Sequence, residues 1–170
     1  MSGTPYPKPL ERSDFFDTFG GIYERSPWVA EAAYPKIHRG IDTASMAEIM
    51  RSIVDAAPYQ DKLDLLRLHP DLAGRLRLSE LTESSRSEQA GAGLDRCTRK
   101  ELTEFQELNA IYNDKFGFPF IFAVKGFHRT EILDAFRIRV NHDRDEEFKT
   151  AIEQVHRIAK SRLETIADEN

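Results

Sequence analysis

Residues 98–117 read "TRKELTEFQELNAIYNDKFG", and residues 118–124 continue as "FPFIFAV". The first stretch decides the class of fold. Thr98 followed three residues later by Glu101 is a capping box: the hydroxyl takes the amide at the third helical position, and the carboxylate reaches back to the capping residue's own amide. Leu102, Phe105, Leu108, Tyr112 and Phe116 then continue one stripe along a helix. Gly117 stands where a helix ends on a residue that tolerates a left-handed conformation. The aromatic run after it has strand character by itself, but the chain offers no convincing second strand to pair with it. It is a buried extended segment or the start of a fully buried helix.

N-terminal to this helix the pattern stays helical. Phe15, Phe16, Phe19, Ile22 and Tyr23 recur at helical spacing after Ser13, and Pro27 opens two short turns broken near Pro35. Thr43 is placed to cap a helix whose stripe is Met46, Ile49, Met50, Ile53 and Ala57. Pro58 starts another, with Leu63, Leu65 and Leu66 turned inward. It stops before Pro70, because a proline pushes the residue before it out of the α region. Two further helices are predicted over residues 130–140 and 145–167. The mixed-sign clusters "RDEEFK" and "HRTE" read as solvated helix faces. The predicted class is all-α. A single compact multi-helix domain is expected over residues 13–170, after an extended lead-in at 1–12, with one short extended apolar segment near 118–124.

Composition narrows the function. The 170 residues are 40% hydrophobic and 31% charged, a globular balance with enough length for a core. A net charge of −5 argues against a nucleic-acid binder, which would carry a basic face. Cys97 is the single cysteine, so neither an intramolecular disulfide nor a thiolate metal cluster can form. His38, His128, His142 and His156 lack metal-ligand spacing, so no metal is expected. No apolar run approaches the roughly 18 residues of a membrane span. The opening "MSGTPYPKPLERSD" has no hydrophobic secretory core, and cytoplasm is the expected compartment.

Three polar residues stand out against this background. His69, held before Pro70, closes a helix whose C-terminal partial charge favours the protonated imidazole. It can serve as a general acid or base, or simply cap a carbonyl. Glu88 lies nineteen residues on, in "SRSEQAGAGL", residues 85–94. Ser85 and Glu88 fit a capping box. The small residues that follow, Ala90 to Gly93, cost helix propensity and suit a close approach to a ligand, which makes Glu88 and Gln89 pocket candidates. Arg162 falls beside Val155 at the edge of the stripe Ile152, Val155, Ala159, Leu163 and Ile166. A guanidinium there needs an anionic partner, either an internal carboxylate or a ligand oxygen.

"HPDLAG", "EQAGAGL", "NAIYNDKFGFPFIFAVKG" and the terminal "IAKSRL", in that order, resemble the 2-oxo-4-hydroxy-4-carboxy-5-ureidoimidazoline (OHCU) decarboxylase family. The likeness runs from the first phenylalanine-rich helix to Leu163. It implies an α-helical, homodimeric enzyme without metal or organic cofactor, converting OHCU to (S)-allantoin and CO2 at the end of urate breakdown. The family's catalytic histidine falls on His69, its essential glutamate on Glu88 and its substrate-binding arginine on Arg162. Its substrate contacts fall on Pro70, on Ser85 (or Ser84), Glu88 and Gln89, and on Phe120, Ile121, Phe122, Ala123 and Val124. The partner expected is a small-molecule substrate, with no nucleic acid and no membrane. The rival class is a non-catalytic helical module that binds ureide-type ligands.

Overall fold

The computed structural model describes residues 11–38, 40–72 and 97–169. Among them are seven α-helices, one 3-10 turn and no strand, so the fold is all-α. The helices are α1 (Arg12–Phe19), α2 (Trp28–Ala33), α3 (Thr43–Ala56), α4 (Tyr59–Leu68), α5 (Arg99–Phe116), α6 (Arg129–Arg139) and α7 (Arg144–Glu169). No described helix is long and apolar enough to cross a membrane. The chain groups into two units. One holds residues up to Leu68 together with those from Val155 onward, and the other holds His69–Gln154.

In the first unit α1 packs on α2 and α2 on α3. Phe15 and Phe19 supply the buried face of α1, and Phe15 lies 5.1 Å from the ring of Tyr34 in the 3-10 turn Tyr34–Lys36. The helix is shorter than the sequence spacing suggests. Gly20 closes it, and a Cβ there would meet the Phe16 carbonyl oxygen at 2.5 Å. Ile22 and Tyr23 are buried as expected, but in the connection beyond the helix. Pro27 caps α2 and Tyr34–Lys36 follows, matching the two short turns broken near Pro35. For α3 the cap is Asp42 and not Thr43. The Asp42 carboxylate accepts the Ser45 amide at 2.6 Å, which lowers its pKa, while Thr43 is buried as the first helical residue. Met46, Met50 and Val54 form the buried stripe, with Ile49 and Ile53 at its half-buried edge. In α4, Leu63, Leu65 and Leu66 all face inward.

In the second unit α5 packs on α6. The capping box is present in both directions. Thr98 Oγ1 accepts the Glu101 amide at 3.1 Å, and Glu101 Oε1 accepts the Thr98 amide at 3.0 Å. Gly117 ends the helix with φ of 73° and donates to the Asn113 carbonyl. Phe105, Tyr112 and Phe116 line the buried face. Residues 118–124 form neither helix nor strand, and Phe118, Phe120, Ile121 and Val124 are buried. "HRTE" caps α6: His128 Nδ1 accepts the Thr130 amide, and Glu131 accepts that of His128 at 3.1 Å. "RDEEFK" departs from its sequence reading. Glu147 is fully buried, because it sits four residues before Ala151 on the inward face of α7.

Candidate functional site

The segment carrying His69 is held from α5. α4 ends at Leu68; His69 is half-buried in the bend beyond, and Pro70 is buried. One residue further, Asp71 Oδ2 accepts hydrogen bonds from Asn109 Nδ2 at 3.1 Å and Asn113 Nδ2 at 3.4 Å. Asn113 also donates to the Asn109 carbonyl at 2.8 Å, so one α5 turn presents both amides together. A carboxylate held by two amides restricts the backbone two residues from the imidazole.

Segment 118–124 has no ladder to hold its backbone groups, and side chains do so instead. Arg139 Nη1 donates to the Ile121 carbonyl at 2.7 Å, and Gln154 Oε1 accepts the Ala123 amide at 2.8 Å. The Arg139 guanidinium also lies 4.4 Å from the Phe120 ring centroid, while Phe120 stacks on Phe136 at 3.8 Å. These ties place the segment and occupy two of its backbone groups.

Arg139 is itself anchored. Its Nη2 lies 2.6 Å from Glu147 Oε1 and its Nε donates to the same oxygen at 2.8 Å. The Tyr112 hydroxyl donates to that oxygen at 2.5 Å, and His142 Nδ1 lies 3.0 Å from Oε2. Burial, followed by the Glu147 charge, raises the pKa of Tyr112 well above the ordinary tyrosine range, so it stays a neutral donor.

Arg162 is buried in the first unit, at the core edge where the helical stripe put it. It pairs with an internal carboxylate among other contacts: Nη2 lies 3.1 Å from Glu24 Oε2, and Nη1 donates to the Ile22 carbonyl at 3.5 Å. The connection supplying both acceptors is also tied through Tyr23, whose hydroxyl lies 2.8 Å from His156 Nδ1. His156 Nε2 lies 2.8 Å from Asp55 Oδ1. Arg25, directly after Glu24, takes a φ of 57°, a conformation rare for residues with side chains.

A family model described as OHCU decarboxylase matches residues 8–164. The 2-oxo-4-hydroxy-4-carboxy-5-ureidoimidazoline decarboxylase of Haloferax volcanii is 43% identical over 155 residues, covering 91% of this chain and 89% of that one. The chain belongs to the OHCU decarboxylase family. The protein of the same name from Halalkalicoccus jeotgali is 43% identical over 157 residues, 92% of this chain and 86% of that one. A crystal structure of (S)-allantoin synthase matches with a TM-score of 0.71 at 34% identity. That match covers 92% of this chain and 51% of the other.

Set against the OHCU decarboxylase resemblance, the expected site residues fall in three places. His69, Pro70 and Phe120 to Val124 lie in the unit His69–Gln154, and Arg162 lies in the other unit. Ser84, Ser85, Glu88 and Gln89 lie outside the described residues. Sequence reasoning missed Arg139, Glu147, Gln154 and Glu24. For two of them the signal was present. Arg139 follows Ile132 and Phe136 by seven and three residues, and Glu147 precedes Ala151 and Val155 by four and eight. That is the same face criterion that singled out Arg162.

Proposed function

We propose that this chain converts OHCU to (S)-allantoin and CO2, with His69, Glu88 and Arg162 as its catalytic residues. Family membership across residues 8–164, a span that includes all three, carries the proposal. The working form is a homodimer in the cytoplasm, with no resident metal or organic cofactor.

The chemistry follows from the substrate. Its carboxylate sits beside the ring's conjugated imine, so the electron pair released when the C–CO2 bond breaks passes into the substrate itself. The protein then orients the carboxylate, steadies developing charge and delivers one proton to one face of the carbon left behind. His69 assists the first step at the neighbouring hydroxyl and donates that proton. Glu88 holds the imidazole or the ureido group, and Arg162 binds an anionic or carbonyl oxygen. Pro70, Ser85, Gln89 and the segment Phe120 to Val124 shape the pocket and exclude water. With Ile121's carbonyl on Arg139 and Ala123's amide on Gln154, that segment meets the ring through its other backbone groups.

Substrate made in place by urate oxidase and hydroxyisourate hydrolase tests the proposal. The wild-type protein should speed its disappearance, and a chelator should leave the rate unchanged. His69→Ala should abolish turnover with helical circular dichroism intact. Near-normal activity in that variant would rule His69 out as proton donor. A module that only binds ureides would show affinity for allantoin and no acceleration.

A further inference from the structure

Arg139 and Gln154 come from different helices, yet each spends a polar group on the same short segment. One holds the Ile121 carbonyl at 2.7 Å and the other the Ala123 amide at 2.8 Å, two residues apart. Glu147 and Tyr112 fix the far edge of the Arg139 guanidinium, and Phe136 backs the Phe120 ring on which it lies. Both ties land on irregular backbone, where no helix or sheet would otherwise set the dihedrals.

We propose that Arg139 and Gln154 are positioning residues for the decarboxylation, setting the conformation of backbone 120–124 against which the substrate ring lies. This rests on the proposed function above, in which that segment contacts substrate. Protonation on one face requires the ring to be held still, and a displacement of about 1 Å can cost up to about a hundredfold in rate. Arg139 acts through Ile121 and Phe120, Gln154 acts through Ala123, and neither is a proton donor.

The test uses the full chain, with substrate generated in place by urate oxidase and hydroxyisourate hydrolase. Arg139→Lys keeps a cation for Glu147 but loses the planar fork that reaches Ile121 and covers Phe120. Gln154→Leu removes the acceptor for Ala123 from a half-buried position. Both should melt cooperatively, lose about tenfold to a hundredfold in kcat/KM, mainly through kcat, and yield allantoin with a reduced (S) excess. Thr98→Ala is the control: it removes the cap of α5 far from this network, and should lower Tm while leaving kcat/KM and the (S) excess as in wild type. The inference is overturned if Arg139→Lys and Gln154→Leu lower Tm and leave kcat, KM and the (S) excess unchanged. Should Arg139→Lys not fold, Gln154→Leu decides alone. A wild-type chain that does not accelerate substrate loss removes the proposed function and the positioning roles together. An active wild type with unaffected variants removes the positioning roles only.

Discussion

Two buried arginine–glutamate pairs draw on the same helix, and they are built differently. Near the start of α7, Glu147 holds Arg139 at 2.6 Å and also takes the Tyr112 hydroxyl and a nitrogen of His142. Near its end, Arg162 meets Glu24 at 3.1 Å and the Ile22 carbonyl at 3.5 Å. The first pair is a short, many-membered network that grips irregular backbone. The second ties a connection between helices, and its glutamate stands next to a left-handed non-glycine residue. A guanidinium bound tightly on several sides suits holding protein in place.

Substitutions at the two pairs should have different consequences. The largest expected effect is Arg139→Met, which strands the Glu147 charge at 0% exposure and should cost about 3–5 kcal/mol in denaturant unfolding. A loss below about 1 kcal/mol would mean the network is not the stronger anchor. Glu24→Gln should lower stability and also act on function. It weakens the charged partner of Arg162, and KM should rise by roughly tenfold, about 1.4 kcal/mol of binding. Unchanged kinetics with reduced stability would make Glu24 and Arg162 a packing pair only. Tyr112→Phe removes one donor to Glu147 and should cost about 1–3 kcal/mol. The smallest effect is expected from Thr98→Ala, about 1 kcal/mol from the lost helix cap.

The same cap gives a pH dependence. The Thr98 amide, and to a lesser extent Arg129, lower the folded pKa of Glu101 below its ordinary value of 4.5. A depressed folded pKa stabilises above the unfolded value, and the stabilisation is lost as pH falls through the folded one. The stability difference between wild type and Glu101→Gln should therefore be full at neutral pH and shrink below about pH 4.5. A difference that stays constant into acid would show that the Glu101 charge contributes nothing.

The helices were legible because their signals are local. The Thr98–Glu101 box, Gly117 and the α4 leucines are each set by neighbours within a few residues. Boundaries slipped where two adjacent residues compete for one role, as Asp42 and Thr43 do; the carboxylate won and the threonine turned inward. Arg162 was legible as a charge at the edge of an apolar face, but its partner was not, since Glu24 lies 138 residues away in the chain. Glu147 was misread because charged neighbours in "RDEEFK" hid its place on the inward face. Polar residues at core register need partners from distant segments, and spacing alone does not name them.

The handedness of the product decides whether this chain acts as a stereospecific decarboxylase. Substrate generated by urate oxidase and hydroxyisourate hydrolase should give, with this protein present, allantoin with the circular-dichroism signal of the (S) enantiomer. Racemic allantoin, formed no faster than by spontaneous decay, would contradict it.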